Sequence, residues 1–381
     1  MKVLVLYDYP PSPGGLATQG DLLYQGLKDL GLDVYPAHFE SGPEKEWYFR
    51  WFKPDLAVGI GFWGHTPHLV LHPQKHGVRA VPWLVADGYI ANYQDVLNSL
   101  PLILVTSQWV KDTYIRDGID RQDNIEVLPV GCDTAAFVPR DRQDPKVAAI
   151  RQLVGVKPDE LMILTIGGDA TSKGGREVME ALGRIKDRVP PWKYICKVWP
   201  QPRTTAQNVH DLELARELGI ADRVNFVTGR MSRNIMPYLT AACDIYAAPS
   251  RLEGFGMPQV EANACGKPVL AIRAMALLDT MVHGETALLA DIGEEIRIDE
   301  ATVGEDAGFE DGHLVHFPCP RVVDYRASVP SVAEHLERLM TDPALRARLG
   351  AAGRQRAVAH FDYQVVARKF LDIASRRLKL K

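Results

Sequence analysis

Short apolar runs of strand-like length alternate with amphipathic helical runs along most of this chain, and no other feature constrains its fold as strongly. The first apolar run covers residues 3–7, and leucines then recur at helical spacing between residues 22 and 30. Gly31 ends this predicted helix. Further strand-like runs cover residues 32–37, 56–60, 80–85, 102–106 and 125–129. Strands that alternate with helices in this way form parallel sheets covered by helices.

The same alternation starts again after residue 139. Predicted strands cover residues 162–166, 194–198, 224–226, 245–248 and 268–272, and predicted helices cover residues 176–186, 234–242 and 259–264. Because 381 residues suffice for two domains, we predict a first domain over residues 1–138 and a second over residues 139–358. Residues 359–381 are predicted to form a helical segment that crosses back to the first domain. The predicted fold class is α/β, with two Rossmann-like, doubly wound domains that face each other across a ligand-binding cleft.

Two segments depart from the alternation. Residues 291–312 are acidic, contain glycine and are weakly periodic, so we predict a solvated insertion and not an element of the fold. After Pro330 we predict two or three helices, the last over about residues 363–378. The basic end at residues 376–381 fits either a peripheral contact with anionic lipid or a solvated helix C-terminus.

Composition narrows the class of protein. With a formal net charge of -4, the chain lacks the basic surplus that bulk nucleic-acid binding requires. No uninterrupted apolar run reaches the roughly 18 residues of a membrane span, and the first apolar run is too short for a signal peptide. The 5 cysteines are widely spaced and include no C-x-x-C pair, so we predict reduced thiols and a cytoplasmic location.

The strongest functional signal is a pair of glutamates eight positions apart, Glu253 and Glu261, on either side of a small-residue turn. Gly254 and Gly256 permit a tight turn, and Pro258 suits the first turn of the helix that follows. The N-terminus of that helix would suit a diphosphate, because its amides and its dipole both attract anions. Glu261 would accept hydrogen bonds from vicinal hydroxyls such as those of a ribose, and Glu253 would face a donor sugar.

This stretch, residues 249–270, resembles the signature of retaining glycosyltransferases of the GT-B fold, specifically family 4, the glycosyl transferases group 1. Weaker matches to the same family occur at residues 130–139 and 284–289, at Gly14-Gly15 and at Lys173-Gly174. The resemblance implies an enzyme of the EC 2.4 type, a hexosyltransferase. It would move a sugar from a nucleotide-diphosphate sugar to the hydroxyl of an unidentified acceptor, with retention at the anomeric carbon. We expect no cofactor and no metal requirement, since amides, a helix end and a lysine can stabilise the leaving diphosphate and no D-x-D pattern occurs.

The resemblance also implies roles for individual residues. The catalytic group would comprise Glu253, Lys173 and Asp87, with Lys173 against the diphosphate. The other donor-binding residues would be Gly15, Met231, Gly254, Phe255, Gly256, Met257 and Glu261. Trp63 is expected on the acceptor side, in a loop facing the acceptor. Asp87 stands where the family often has a histidine, and it fits equally a contact with a sugar hydroxyl or a plain turn before Gly88.

The chain departs from the family just before its lysine. The family usually has an arginine five or six residues before this lysine, and here those positions are Gly168 and Gly167. One cation for the phosphates is therefore missing, and Lys197 or Arg203 is a candidate replacement. This departure motivates a different class of function, a catalytically degenerate GT-B protein that binds a nucleotide without turnover. A GT-B nucleotide-sugar epimerase is the enzymatic alternative.

Two further patterns suggest other kinds of site. Residues 59–64 match the G-x-G-x-x-G pattern of dinucleotide-binding proteins, but Phe62 and Trp63 are bulky where a backbone must approach a pyrophosphate. Histidines also recur at helical spacing, which suggests a metal site. Prolines interrupt that helical pattern and no acid or cysteine joins the histidines in sequence, so we predict structural or surface roles for them. The series is His65, His68, His72 and His76.

Overall fold

The fold is described from a computed structural model that covers residues 1–86 and 88–379, without the side chain of Gln122. The chain divides into two compact units. The N-terminal unit comprises Met1–Gly131, Arg297–Val323 and the segment from His360 onward. The C-terminal unit comprises Cys132–Ile296 and Asp324–Ala359.

The N-terminal unit contains a parallel six-stranded sheet in the order β2-β1-β3-β4-β5-β6. Its inner strands are buried on both faces, which explains their continuous apolar runs. The strands are β1 Lys2–Tyr7, β2 Asp33–His38, β3 Leu56–Phe62, β4 Ala80–Val85, β5 Ile103–Val105 and β6 Ile125–Val127. The helices between them are α1 Gly15–Asp29, α2 Gly42–Trp51, α3 His72–Lys75, α4 Gln94–Asn98 and α5 Gln108–Arg116, and a π-helical turn at Pro67–Leu71 precedes α3.

The C-terminal unit contains a second parallel six-stranded sheet, in the order β12-β11-β10-β7-β8-β9. Its strands are β7 Leu161–Ile166, β8 Trp192–Val198, β9 Val224–Thr228, β10 Ile245–Ala247, β11 Val269–Ile272 and β12 Ala287–Ala290. Its first helices are α6 Pro145–Leu153, α7 Gly175–Ile185, α8 Pro202–Glu217, α9 Met236–Ala242, α10 Met257–Ala264 and α11 Leu277–Thr280. Further along the chain come α12 Val329–Thr341 and α13 Pro343–Arg356, followed by α14 Tyr363–Leu378, which belongs to the N-terminal unit.

The predicted α/β class with two Rossmann-like parallel sheets is confirmed. The three helices after residue 328 are also as predicted, and the last covers Tyr363–Leu378. Among the described residues, none of the helices combines the length and the apolar character that crossing a membrane would need.

The prediction that residues 291–312 form no element of the fold was wrong. Two long strands, β13 Ile292–Val303 and β14 His313–Ala327, make a separate two-stranded sheet. About half of their side chains are exposed, and only a few apolar ones, such as Val303 and Val315, pack on the core of the N-terminal unit, so the apolar period in the sequence is weak. The predicted division assigned this segment to the second domain, whereas its residues Arg297–Val323 pack as part of the N-terminal unit.

Candidate functional site

The turn between β10 and α10 carries the candidate site of the C-terminal unit. Gly256 caps α10 with φ of 91°, in the left-handed region that favours glycine. A Cβ there would also lie 2.7 Å from Leu277 Cδ2. Gln259, in the first turn of the helix, donates from Nε2 to the carbonyl of Ala248 at 3.2 Å and to Ser250 Oγ at 3.1 Å. These bonds hold the turn against the start of its own helix.

Glu253 lies at the centre of this turn and has two partners. Its Oε1 accepts a hydrogen bond from the amide of Gly256 at 3.1 Å, which folds the carboxylate back onto the N-terminus of α10. Its Oε2 accepts from Lys173 Nζ at 2.8 Å. The two side chains are 13% and 22% exposed, so the pair faces solvent on one side. The structure thus brings together Lys173, Glu253 and the residues of the turn, Gly254, Phe255, Gly256 and Met257.

Lys173 is positioned by a second tight turn that docks on the first. Gly174 follows it with φ of 77°, and a Cβ at Gly174 would lie 2.3 Å from the carbonyl oxygen of Pro249. The amide of Arg251 donates to the carbonyl of Ser172 at 2.9 Å. Glycine at position 174 therefore permits the close approach that sets Lys173 beside Glu253.

Arg251 connects the turn to α7 and to the end of β14. The sequence patterns did not single out this residue. Its Nη2 lies 2.7 Å from Glu177 Oε1, and its Nη1 lies 3.6 Å from Asp324 Oδ2. Its carbonyl accepts from the amide of Tyr325 at 2.7 Å, so the end of β14 also braces this loop. Burial raises the pKa of the Glu177 carboxyl, and the Arg251 guanidinium opposes that shift. Nothing in the local sequence identifies these partners, because they come from α7 and β14.

Glu261 lies in the second turn of α10 and keeps partial access to solvent. Burial raises the pKa of its carboxyl to about 7, and the positive charge of Arg233 opposes the shift. Arg233 and the predicted donor-binding residue Met231 both lie in the connection between β9 and α9. A carboxyl that titrates near neutrality suits a ligand that donates hydrogen bonds to it, since such a ligand stabilises the charged form. Arg233 is a residue that the sequence patterns did not single out.

The two glycines that replace the family's arginine have different surroundings. A Cβ at Gly167 would lie 2.6 Å from Lys173 Cγ, whereas a Cβ at Gly168 would find its nearest neighbour, Trp199, at 3.4 Å. Lys197 pairs with Ile166 across β7 and β8, so it lies at the same end of the sheet as these glycines. It is 4% exposed, and burial lowers the pKa of its ammonium.

Three predicted site residues, Gly15, Trp63 and Asp87, belong to the N-terminal part of the chain. Gly15 is exposed as the first residue of α1. Trp63 is 5% exposed and packs in the core of the unit, with its ring 6.2 Å from that of Tyr89 and 5.8 Å from that of Phe62. A contact between Trp63 and an acceptor stays a prediction. Asp87 lies outside the described residues.

Comparison with known proteins finds one family model and several curated relatives. Residues 147–301 match the family model described as "Glycosyl transferases group 1". An "MMP alpha-(1->4)-mannosyltransferase" of Mycolicibacterium hassiacum is 27% identical over 281 residues, which are 74% of this chain and 55% of that protein. A "D-inositol 3-phosphate glycosyltransferase" of Xylanimonas cellulosilytica is 29% identical over 375 residues, 96% of this chain and 78% of that protein. The chain spans between 55% and 61% of the length of the first three curated relatives it matches.

Solved structures match the whole fold. A glycosyltransferase from Rickettsia africae superposes with a TM-score of 0.76 at 15% identity, covering 100% of this chain and 99% of that one. Anabaena Alr3699/HepE, in complex with UDP and glucose, superposes with a TM-score of 0.73 at 18% identity, covering 99% and 100%. At these identities the likeness establishes the fold. The chain has the GT-B fold, and its residues 147–301 match the family model of the glycosyl transferases group 1.

Proposed function

We propose that this protein is a retaining glycosyltransferase that moves a sugar from a nucleotide-diphosphate sugar to an acceptor hydroxyl, without a metal ion or cofactor. One observation carries the proposal, the Lys173–Glu253 pair held at 2.8 Å over the N-terminus of α10. It combines an ammonium, a helix end and a carboxylate at one place. The names of the relatives, a mannosyltransferase and several inositol-phosphate glycosyltransferases, agree with this class of reaction.

The leaving group explains why these residues suit the reaction. When the bond between the anomeric carbon and the diphosphate breaks, negative charge develops on the phosphate oxygens. The first amides of a helix have no acceptor within the helix, so those at the start of α10 point toward that charge, and the helix dipole adds to the attraction. Lys173 adds an ammonium beside them, which its pairing with Glu253 holds in place. Preorganised groups of this kind contribute the largest share of catalysis in many enzymes.

Glu253 has a different role in the proposal. A carboxylate beside a diphosphate would repel it, and here Lys173 and the Gly256 amide already neutralise and orient the carboxylate. Its remaining acceptor capacity suits the hydroxyls of the donor sugar. Glu261, further along α10, would accept hydrogen bonds from the ribose.

Retention follows from attack on the face that the phosphate leaves. In the proposed step the acceptor oxygen bonds to the anomeric carbon as the carbon–phosphate oxygen bond breaks, and the departing phosphate takes the acceptor proton. No protein nucleophile is needed. We also propose a cytoplasmic location, which rests on the scattered cysteines alone.

The first experiment tests binding and then turnover. Nucleoside diphosphates are screened by thermal shift, where a ligand at 100 times its dissociation constant should stabilise the protein by about 2.7 kcal/mol. Nucleotide sugars that carry the nucleobase of the tightest-binding nucleoside diphosphate are then tested as donors. NMR measures the release of nucleoside diphosphate and the anomeric configuration of the product. No stabilisation by any nucleotide at millimolar concentration would refute the donor site. An inverted product would refute retention.

Metal independence has its own test. Turnover should survive treatment with a chelator and should not increase on addition of Mg²⁺ or Mn²⁺. Activity that disappears on chelation and returns with either of these ions would contradict the proposal.

The alternative of a nucleotide-binding protein without turnover is favoured by one observation, the glycines at positions 167 and 168 where the family has a cation. Binding of a nucleoside diphosphate with no sugar transfer or donor hydrolysis would support it. The epimerase alternative has no such observation, and none of the relatives reported above carries that name.

A further inference from the structure

Three side chains that can bind a metal ion meet on the surface of the N-terminal unit. Glu46 lies on α2, His72 begins α3 and His76 follows it. Glu46 Oε1 is 3.7 Å from His72 Nε2 and 3.8 Å from His76 Nε2. All three atoms lie within 4.8 Å of one another. The side chains are 37%, 23% and 24% exposed, so each is partly packed and an ion can reach them from solvent.

The sequence-based prediction of structural or surface roles for these histidines assumed that no acid joins them. The structure contradicts that assumption, because the acid comes from a separate helix. The π-helical turn Pro67–Leu71 leads directly into α3 despite the prolines. His72 and His76 therefore remain one helical turn apart on one face, with ring centroids 5.0 Å from each other.

The spacing of the ligand atoms suits a tetrahedral transition-metal ion. Zinc bonds of about 2.0–2.1 Å place neighbouring ligand atoms roughly 3.3–3.4 Å apart in a tetrahedron. The two measured separations from Glu46 Oε1, 3.7 and 3.8 Å, exceed this only slightly, so small side-chain movements would close the site. Two imidazoles and one carboxylate favour Zn²⁺ or a neighbouring transition metal over Mg²⁺, which prefers oxygen ligands.

Surrounding residues hold the ligands in this arrangement. Arg50 Nη2 donates to Glu46 Oε2 at 3.3 Å, which leaves Oε1 directed at the imidazoles. The ring of Phe49 packs 5.8 Å from that of His72 and 5.3 Å from that of His76. Partners that orient metal ligands in this way commonly affect affinity as much as 10- to 100-fold.

We propose that Glu46, His72 and His76 bind one divalent transition-metal ion, and that this ion is Zn²⁺. The bound ion links α2 to α3. The fourth position is open to water. None of these three residues is among those proposed for the sugar transfer, so we assign the ion a stabilising and not a catalytic role.

The test is titration of the full-length, tag-free, metal-stripped chain with ZnCl2 and with CoCl2. We expect one tight equivalent of Zn²⁺, a Co²⁺ spectrum with the intense visible bands of tetrahedral coordination, and a higher Tm with Zn²⁺ but not with Mg²⁺. The substitutions Glu46→Gln, His72→Ala and His76→Ala should each weaken Zn²⁺ binding at least about 10-fold. His68→Ala is the matched control, because His68 belongs to the same segment but is exposed outside the cluster.

Two results would overturn the proposal. One is the absence of a tight Zn²⁺ equivalent in the wild-type chain, and the other is binding that all three substitutions leave unchanged. Circular dichroism checks that each variant folds, and His72→Gln and His76→Gln replace any alanine variant that does not. Release of nucleoside diphosphate from the donor should remain unchanged in these variants at 25 °C, so failure of the metal site and failure of the proposed transferase are distinguishable.

Discussion

Replacing Glu261 by glutamine separates the two properties that this residue combines, a burial penalty and a proposed bond to the ribose. Burial raises the pKa of its carboxyl from 4.5 to about 7. The folded state therefore binds this proton more tightly than the unfolded state does, and wild-type stability falls as the pH rises from about 4.5 through about 7. Between pH 5 and pH 8 the loss is about 2.5 kcal/mol for a fully desolvated carboxyl. Because Glu261 keeps some solvent access, we expect about 1–2.5 kcal/mol.

The assay is urea denaturation of wild type and Glu261→Gln at pH 5 and pH 8. Glutamine does not titrate, so the free energy of unfolding of the variant relative to wild type should increase by about 1–2.5 kcal/mol between the two pH values. Glu217→Gln is the control, since that side chain is exposed on the same unit and should change stability equally at both pH values. Equal pH dependence in Glu261→Gln and wild type would refute the burial argument.

Nucleotide binding by the same variant tests the second property. A hydrogen bond to a charged group contributes about 1.5–3 kcal/mol, so Glu261→Gln should bind a nucleoside diphosphate roughly 10- to 150-fold more weakly. A 2′-deoxynucleoside diphosphate should show a similar loss with wild type and little further loss with the variant, because the two changes remove one interaction. If the variant gains stability at pH 8 yet binds both nucleotides like wild type, Glu261 is a buried carboxyl without a role in the ribose contact.

Three further predictions concern the supports of the site and of the fold. Lys173→Ala should reduce turnover about 10²- to 10³-fold with an unchanged circular dichroism spectrum, since it removes the charge beside the leaving phosphate; near-normal turnover would exclude Lys173 from the site. Gly174→Ala should destabilise the protein by about 2–4 kcal/mol, measured by urea denaturation. Gly155→Ala is the control, with an expected loss of about 1 kcal/mol. Both glycines have positive φ, but only a Cβ at Gly174 would meet a carbonyl oxygen, at 2.3 Å. Arg321→Met should speed hydrogen exchange in β14 and reduce stability by about 2 kcal/mol, since it removes the pair with buried Asp117 at 2.9 Å; the loss stays below the roughly 3–5 kcal/mol of a fully broken buried pair because Arg116 still pairs with Asp117 at 2.8 Å. Unchanged exchange would mean that the pair does not anchor β14.

The strands and the donor turn were accessible from sequence because their causes are local. A strand buried on both faces must be apolar throughout, so runs such as Val3–Tyr7 identify themselves. A turn that needs left-handed backbone at Gly256, followed by a helix with proline in its first turn, likewise leaves a compact signature. Glu253 could be named for the same reason, since it lies next to such a turn, whereas Lys173 was named only through the resemblance to the family.

The features that sequence reasoning missed depend on partners from distant parts of the chain. The β13–β14 pair has only a weak apolar period in the sequence. Glu46 was missed because an acid was sought only near the histidines in sequence. Arg251 illustrates the same difficulty within the site, because its partner Glu177 lies on α7 and Asp324 lies in β14. Such contacts follow from topology, which brings the ends of non-adjacent strands together.

The loop before Lys173 explains why substitutions in a motif cannot be interpreted one position at a time. Compared with the family pattern, Gly167 looks like the simple loss of a cation. In the structure, a side chain at position 167 would begin 2.6 Å from Lys173 Cγ and 2.6 Å from the carbonyl oxygen of Asp169. A side chain at position 167 would therefore collide with Lys173, so the glycine is needed for Lys173 to reach Glu253 along its present path. Of the two candidate replacements for the missing charge, Arg203 lies in the first turn of α8, and Lys197, paired with Ile166 across β7 and β8, lies at the same end of the sheet as Gly167.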